Sequence, residues 1–131
     1  MTAFQRLGIV ADHVNRHPAM RQEVLNVYPQ AKFHDSGHRL GEDDLIAFLK
    51  DCDAAIIGFE PVTERVLAAL PNLKIISKYG NGCESFDFEA MKRRGVRFGY
   101  TWGGNKLSVA ELAVVFMLMG LRWVMPLNVA M

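Results

Sequence analysis

The amino-acid sequence predicts an α/β fold: a doubly wound sheet of five parallel strands, followed by a long apolar C-terminal helix. Five short apolar segments alternate with segments whose apolar residues recur at helical spacing, and strands joined through helices pair in parallel by right-handed crossovers. Strands that are apolar throughout belong at the centre of such a sheet, because both of their faces are covered. A chain of 131 residues is also long enough for one domain with a hydrophobic core.

The first strand is predicted at residues 7–11, LGIVA, which form a short, buried apolar run. The next helix begins at Pro18, since proline is favoured in a first helical turn, and Pro29 ends it. Residues 31–35, AKFHD, are less apolar and are predicted to form the second strand, at an edge of the sheet.

The second helix is predicted over residues 42–51, where acidic residues come first and leucine, isoleucine and phenylalanine form the buried stripe. Residues 53–59 form the third strand, which is apolar throughout. Thr63 is placed to cap a helix that ends at Leu70. Residues 73–79 form the fourth strand.

The fourth helix is predicted over residues 86–94, which are acidic first and basic last, with Gly95 as a left-handed C-terminal cap. Residues 96–100 form the fifth strand, and a final helix begins near Ser108. With the most apolar strands central, the expected arrangement is flavodoxin-like, with the strand order 2-1-3-4-5.

The composition excludes several classes of protein. Fifteen basic and fourteen acidic residues leave a formal net charge of +1, without the basic excess expected for binding nucleic acid or an anionic membrane. Cys52 and Cys83 are too few for a disulfide scaffold, and their spacing matches no zinc motif. The apolar run at residues 7–11 is too short for a signal peptide, so we expect a cytoplasmic protein.

A glycine-rich segment, KYGNGCES at residues 78–85, follows the fourth predicted strand, and ligands of doubly wound sheets bind at the carboxyl ends of the strands. Its two glycines allow a sharp turn that exposes amide groups, and Ser85 or Asp87 can cap the next helix. Amides beside a helix N-terminus favour a small carboxylate, and Lys78 adds positive charge. The alternative is a tight turn that binds nothing.

A second glycine-rich segment, TWGGNKL at residues 101–107, follows the fifth predicted strand. Asn105 offers a donor and an acceptor at the same edge, or is simply a turn residue. Ser108 and Glu111 have the spacing of a capping box, with Leu107 and Leu112 as its hydrophobic staple.

The final helix is apolar on every side, because residues 112–121, LAVVFMLMGL, contain no polar side chain. Such a helix must be buried all round, yet it is far shorter than the roughly 20 residues that span a bilayer. We therefore expect self-association through residues 108–131, as a dimer or another homo-oligomer, with no membrane insertion.

Histidines form two pairs at a spacing of four, which follow the first and second predicted strands. Four imidazoles at one edge of the sheet could bind zinc or nickel. No carboxylate or cysteine spacing supports such a site, and both pairs are expected in loops, so solvated histidines are the favoured alternative and no metal is predicted. The residues are His13, His17, His34 and His38.

Residues 70–122, LPNLKIISKYGNGCESFDFEAMKRRGVRFGYTWGGNKLSVAELAVVFMLMGLR, resemble the D-isomer-specific 2-hydroxyacid dehydrogenases, and most closely the phosphoglycerate dehydrogenase-like branch. The order of the Gly-x-Gly turn, the Gly-Gly-Asn segment and Ser-Val-Ala-Glu carries the resemblance. Residues 1–69 match more loosely. Trp102 replaces the family's usual proline, and Glu84-Ser85 replaces its usual Asp-Asn.

The resemblance implies an oxidoreductase with two domains, in which a flavodoxin-like domain binds the 2-hydroxy or 2-oxo acid and a Rossmann domain binds NAD. By that resemblance the backbone of the Gly-x-Gly turn holds the substrate carboxylate, and Lys78 contacts an acidic substituent. The implied residues are Lys78, Gly80, Asn81, Gly82 and Asn105 for the acid, and Ser108 and Val109 for the cofactor.

The family's glycine fingerprint for NAD and its catalytic Arg, Glu and His have no counterpart in the 131 residues. We therefore expect a truncated enzyme, with residues 1–104 as the substrate-binding domain and residues 105–131 as a helix leading to an absent NAD-binding domain. No catalytic residue is assigned and no turnover is expected. The alternative is a stand-alone regulatory module that binds a small acid; a flavin-binding protein is disfavoured, because no Ser/Thr-rich phosphate loop follows the first strand.

Overall fold

The structure, a computed structural model, describes residues 4–124 and contains one five-stranded parallel sheet. The strand order is β2-β1-β3-β4-β5 and every pairing is parallel, which confirms the predicted fold class and strand order. The strands are β1 (Leu7–Ile9), β2 (Lys32–Phe33), β3 (Ala54–Ile57), β4 (Ile75–Lys78) and β5 (Arg97–Gly99).

Helices cover the two faces of the sheet in separate groups. One apolar cluster joins β1 to the first two helices through Val14, Met20 and Val24, and the other joins β3 and β4 to the third, fourth and fifth helices. The side chains of β3 alternate between the two clusters, as the period of a strand requires. The helices are α1 (Asp12–Arg16), α2 (Pro18–Val27), α3 (Glu42–Leu49), α4 (Glu64–Ala69), α5 (Phe88–Arg93) and α6 (Lys106–Leu121).

Several predicted helix ends are confirmed by their local bonds. The Thr63 hydroxyl accepts from the Val66 amide at the start of α4, and Gly95 adopts a φ of 67° just after α5. Short-range chemistry decides these ends, so the sequence alone is sufficient to place them.

One helix was not predicted, and the predicted start of another is displaced. Residues 12–16 form α1 rather than a loop, because the Ala11 carbonyl accepts from two following amides and Asp12 pairs with Arg16 at 2.7 Å. The last helix begins at Lys106, so Ser108 lies inside it and cannot act as a capping-box residue. The same shift places Leu107 within the helix, where it cannot form the predicted staple.

The described residues divide into two compact units, the first ending at Thr101 and the second beginning at Trp102. The second unit consists of a turn with Gly103 at a φ of 66° and the helix α6. The apolar side chains of α6 are exposed along its length, Phe116 by 61% and Leu121 by 78%. No helix within residues 4–124 is long and apolar enough to cross a membrane.

We expect Gly8→Ala to lower the free energy of unfolding by about 1–3 kcal/mol, the usual cost of overpacking a core. A Cβ atom on Gly8 would lie 2.5 Å from Leu49 Cδ2 and 2.9 Å from Cys52 Sγ, so these two buried side chains would have to shift within the packed core. Urea denaturation measures the change. Gly99→Ala is the matched control in β5, because its nearest contact is 3.7 Å; equal losses in the two variants would contradict the prediction.

Candidate functional site

The segment after β4 turns sharply at the carboxyl end of the sheet. Gly80 and Gly82 have φ angles of 87° and 89°, in the left-handed region that glycine enters at little cost. Asn81 lies between them and is exposed, and its Oδ1 accepts from the Tyr100 hydroxyl at 3.4 Å. The turn therefore presents its backbone at the edge where ligands of such sheets bind.

Two backbone hydrogen bonds join this turn to the loop that follows β3. The Val62 amide donates to the Ser85 carbonyl at 2.8 Å, and the Asp87 amide donates to the Val62 carbonyl at 2.9 Å. Val62, which takes part in both bonds, is fully buried. The loops after β3 and β4 are thus held together by main-chain bonds that do not depend on side-chain identity.

The start of the helix α5 is capped by one of the two residues predicted for it. Asp87 is the N-cap and accepts from the Ala90 amide at 2.9 Å, so that amide is already bonded within the protein. Glu84 lies against the turn, since a Cβ atom on Gly82 would come within 2.7 Å of its Oε2. A carboxylate ligand must therefore approach the turn from another side, because like charges repel.

Lys78 is buried, with 6% of its surface exposed. Its Nζ donates to the Gly58 carbonyl at 2.6 Å and to the Tyr79 carbonyl at 2.7 Å. Burial lowers the pKa of the Lys78 amine, while the nearby groups of Cys83, Glu60 and Glu84 oppose that shift. A direct contact between this ammonium and a ligand stays a prediction.

A cavity of about 280 Å³ lies beside the turn, at the carboxyl ends of β1, β2 and β3. Tyr79 lines it and leads directly into Gly80, so the cavity and the turn are adjacent in the chain. The lining combines apolar groups, among them Phe59, with charged and titratable side chains, which include His13, His34, His38, Arg39 and Glu60.

Sequence reasoning missed Arg39 and Glu60. An Arg39 nitrogen donates to the Phe59 carbonyl, and Glu60 is buried, with 5% of its surface exposed, and accepts from the Gly58 amide at 3.0 Å. The available signal was a glutamate placed directly after the apolar run of the third strand. Its hydrogen bond is local, but its burial is a property of the folded chain that the local sequence does not reveal.

The structure brings three of the four histidines to one cavity, although His13 lies in α1 rather than in a loop. The rings of His34 and His38 lie 6.4 Å apart, and His34 Nε2 contacts the Ser36 hydroxyl at 2.5 Å. Among residues 4–124, no three side chains of His, Cys, Asp or Glu converge as metal ligands would. The described part of the chain therefore offers no geometry for the zinc or nickel alternative.

The remaining predicted site residues belong to the second unit. Asn105 is the N-cap of α6, although its side chain does not cap the helix, and Ser108 and Val109 lie in the first turns. The Val109 amide donates to the Asn105 carbonyl at 3.0 Å, so that donor is used within the helix.

Comparison with known proteins places most of the chain within one family. The sequence model of "D-isomer specific 2-hydroxyacid dehydrogenase, catalytic domain" matches residues 9–122. D-3-phosphoglycerate dehydrogenase of Rattus norvegicus is 39% identical over 74 residues, which are 56% of this chain and 14% of that protein. Hydroxypyruvate reductase of Thermotoga maritima is 29% identical over 107 residues, 81% of this chain and 35% of the relative.

Solved structures show the same fold. NAD⁺-bound 3-phosphoglycerate dehydrogenase of Entamoeba histolytica superposes with a TM-score of 0.76 at 22% identity, covering 92% of this chain and 40% of that one. Phosphoglycerate oxidoreductase of Vibrio cholerae gives a TM-score of 0.65 at 29% identity, and the match covers 88% of this chain and 36% of that one. The chain thus spans well under half the length of these relatives.

Proposed function

We propose, because the chain belongs to the D-isomer specific 2-hydroxyacid dehydrogenase family, that it is the substrate-binding part of an NAD-dependent oxidoreductase that interconverts 2-hydroxy and 2-oxo acids. The observation that carries this proposal is the left-handed Gly80–Gly82 turn at the carboxyl end of β4. The amides of Asn81 and Gly82 would receive the carboxylate of a small acid, as consecutive backbone N–H groups do for anions.

The other predicted residues would act around that carboxylate. Lys78 would raise the positive potential beneath the turn, and Asn105 would orient the hydroxyl or oxo group through its amide side chain. Ser108 and Val109 would lie towards the nicotinamide in the complete enzyme. The roles of Asn105, Ser108 and Val109 follow from the family resemblance, which for Lys78 implies contact with an acidic substituent, and all of these roles are proposals for this chain.

We do not expect the residues of this chain to make an NAD site by themselves. The 131 residues contain no Gly-x-Gly-x-x-Gly segment, whose glycines let a backbone approach the pyrophosphate. The Val109 amide is already bonded within α6. The proposed contribution of the chain is therefore limited to binding and orienting the acid, and we assign no proton or hydride transfer to it.

The purified 131-residue chain should produce no NADH from NAD with D-lactate, D-glycerate or D-3-phosphoglycerate. Under the same conditions pyruvate at millimolar concentration should shift the backbone NMR signals of Asn81 and Gly82. Protein-free mixtures are the control for NADH fluorescence. Turnover by the chain alone would contradict the assignment of a substrate-binding part, and unchanged turn signals would contradict acid binding at the turn.

A regulatory module that senses a small acid is the second candidate. The favouring observation is that the turn, the loop after β3 and the cavity all lie in the first unit, which ends at Thr101. A sensor should bind pyruvate or another 2-oxo acid at micromolar concentration in calorimetry. The substrate-binding part of an enzyme should bind it only in the millimolar range.

The exposed apolar surface of α6 also supports self-association of this chain. Apolar side chains on all sides of an exposed helix favour burial against another surface. We propose a second copy of the chain as that surface, with the interface formed by residues 108–131, of which residues 125–131 lie outside the described part of the chain.

A further inference from the structure

Two buried charged side chains hold Gly58, the residue that follows β3. Glu60 Oε2 accepts from the Gly58 amide at 3.0 Å, and Lys78 Nζ donates to the Gly58 carbonyl at 2.6 Å. Glu60 is 5% exposed and Lys78 is 6% exposed. Burying charged groups is costly unless hydrogen bonds compensate, and Gly58 supplies one such bond to each of them.

Lys78 also reaches the glycine turn. Its Nζ donates to the Tyr79 carbonyl at 2.7 Å, and a Cβ atom on Gly80 would lie 3.8 Å from that nitrogen. The same ammonium stands 4.7 Å from the centre of the Phe59 ring. A single side chain therefore contacts the loop after β3 and the loop after β4 at once.

We propose that Lys78 and Glu60 are positioning residues, which through Gly58 hold the loop after β3 and the Gly80–Gly82 turn as one rigid unit. The inference rests on the proposed function only for the identity of the ligand, a small acid. Lys78 then acts by fixing the shape of the turn, because its hydrogen bonds go to backbone carbonyls. Replacing a residue that only contacted the ligand would leave the geometry of the unliganded protein unchanged.

Amide hydrogen exchange of the unliganded 131-residue chain, followed by NMR, tests the proposal. Lys78→Met should speed exchange of the Gly58 amide, whose own bond to Glu60 is untouched. Glu60→Leu should speed exchange of the Phe86 amide, which donates to Cys83 in the other loop. We expect at least about a tenfold change in each case, as loss of one hydrogen bond to a charged group produces.

Matched variants separate this coupling from general loss of stability. Lys74→Met and Glu89→Gln remove exposed charges and should leave both amides unchanged. Glu60→Gln keeps an oxygen that can accept from Gly58 and should retain most of the protection. The Val10 amide, which donates to the Ile56 carbonyl in the sheet, reports global opening and should stay protected.

Faster exchange confined to the loop that carries each substitution would overturn the proposal. If Lys78→Met does not fold, Glu60→Leu decides, since faster exchange at Phe86 supports the coupling and an unchanged rate contradicts it. The measurement contains no acid, so its result stands whether or not pyruvate binds. Failure of pyruvate to shift the turn signals in the wild-type chain would count against the proposed function alone.

Discussion

Gly82→Val is expected to abolish pyruvate binding at the turn. Gly82 has a φ of 89°, where an L-residue costs about 1–2 kcal/mol and a β-branched one is especially unfavourable. A Cβ atom there would also lie 2.7 Å from Glu84 Oε2. The exposed Glu84 side chain can move aside, but the backbone must leave this φ to relieve the strain, and the amides of the turn then change direction. We expect the affinity measured by NMR titration to fall at least about tenfold, which is about 1.4 kcal/mol.

Gly95→Val is the matched control for this substitution. Gly95 has a φ of 67°, and a Cβ atom on it would meet nothing within 4 Å. Both variants therefore bear a similar backbone cost and should lose similar stability in urea, but only the first lies at the proposed site. Equal pyruvate affinity in the wild-type chain and Gly82→Val would show that the acid does not bind at this turn.

Local chemistry made much of the fold predictable. The Gly95 cap and the Thr63 cap depend on residues within one helical turn, and the strand order follows from which segments are apolar throughout. The start of α6 was misplaced because Ser108 and Glu111 have the spacing of a cap. In the structure the Lys106 amide already donates to the Gly103 carbonyl, which begins the helical bonds earlier.

The candidate site was predictable only in part, for a physical reason. The glycine turn is a backbone property, and the sequence Gly-Asn-Gly indicates it directly. The direction of the Lys78 side chain depends instead on carbonyl groups at Gly58 and Tyr79, one of which directly follows another strand. This contact became visible only once β3 and β4 were placed side by side. The burial of Glu60 is likewise a property of the folded chain.

Replacing Leu112 and Phe116 with lysine should convert the chain from the proposed oligomer to a monomer. These two side chains are 51% and 61% exposed and lie one helical turn apart on α6. Each fully buried leucine or phenylalanine contributes about 1.5–3 kcal/mol, and a symmetric dimer loses both residues from both copies. We expect the dissociation constant of the oligomer to rise at least about 100-fold. Light scattering over a range of concentrations gives this constant from the change in molar mass.

Lysine is a good helix former, so the substitutions should leave α6 intact, and circular dichroism checks this point. Val27→Lys is the control for adding charge at an exposed apolar position elsewhere, since Val27 is 70% exposed on α2. It should leave the molar mass of the wild-type assembly unchanged. A wild-type chain that has a mass of 14.7 kDa at every concentration would contradict self-association through α6, because its apolar surface would then remain in water without a partner.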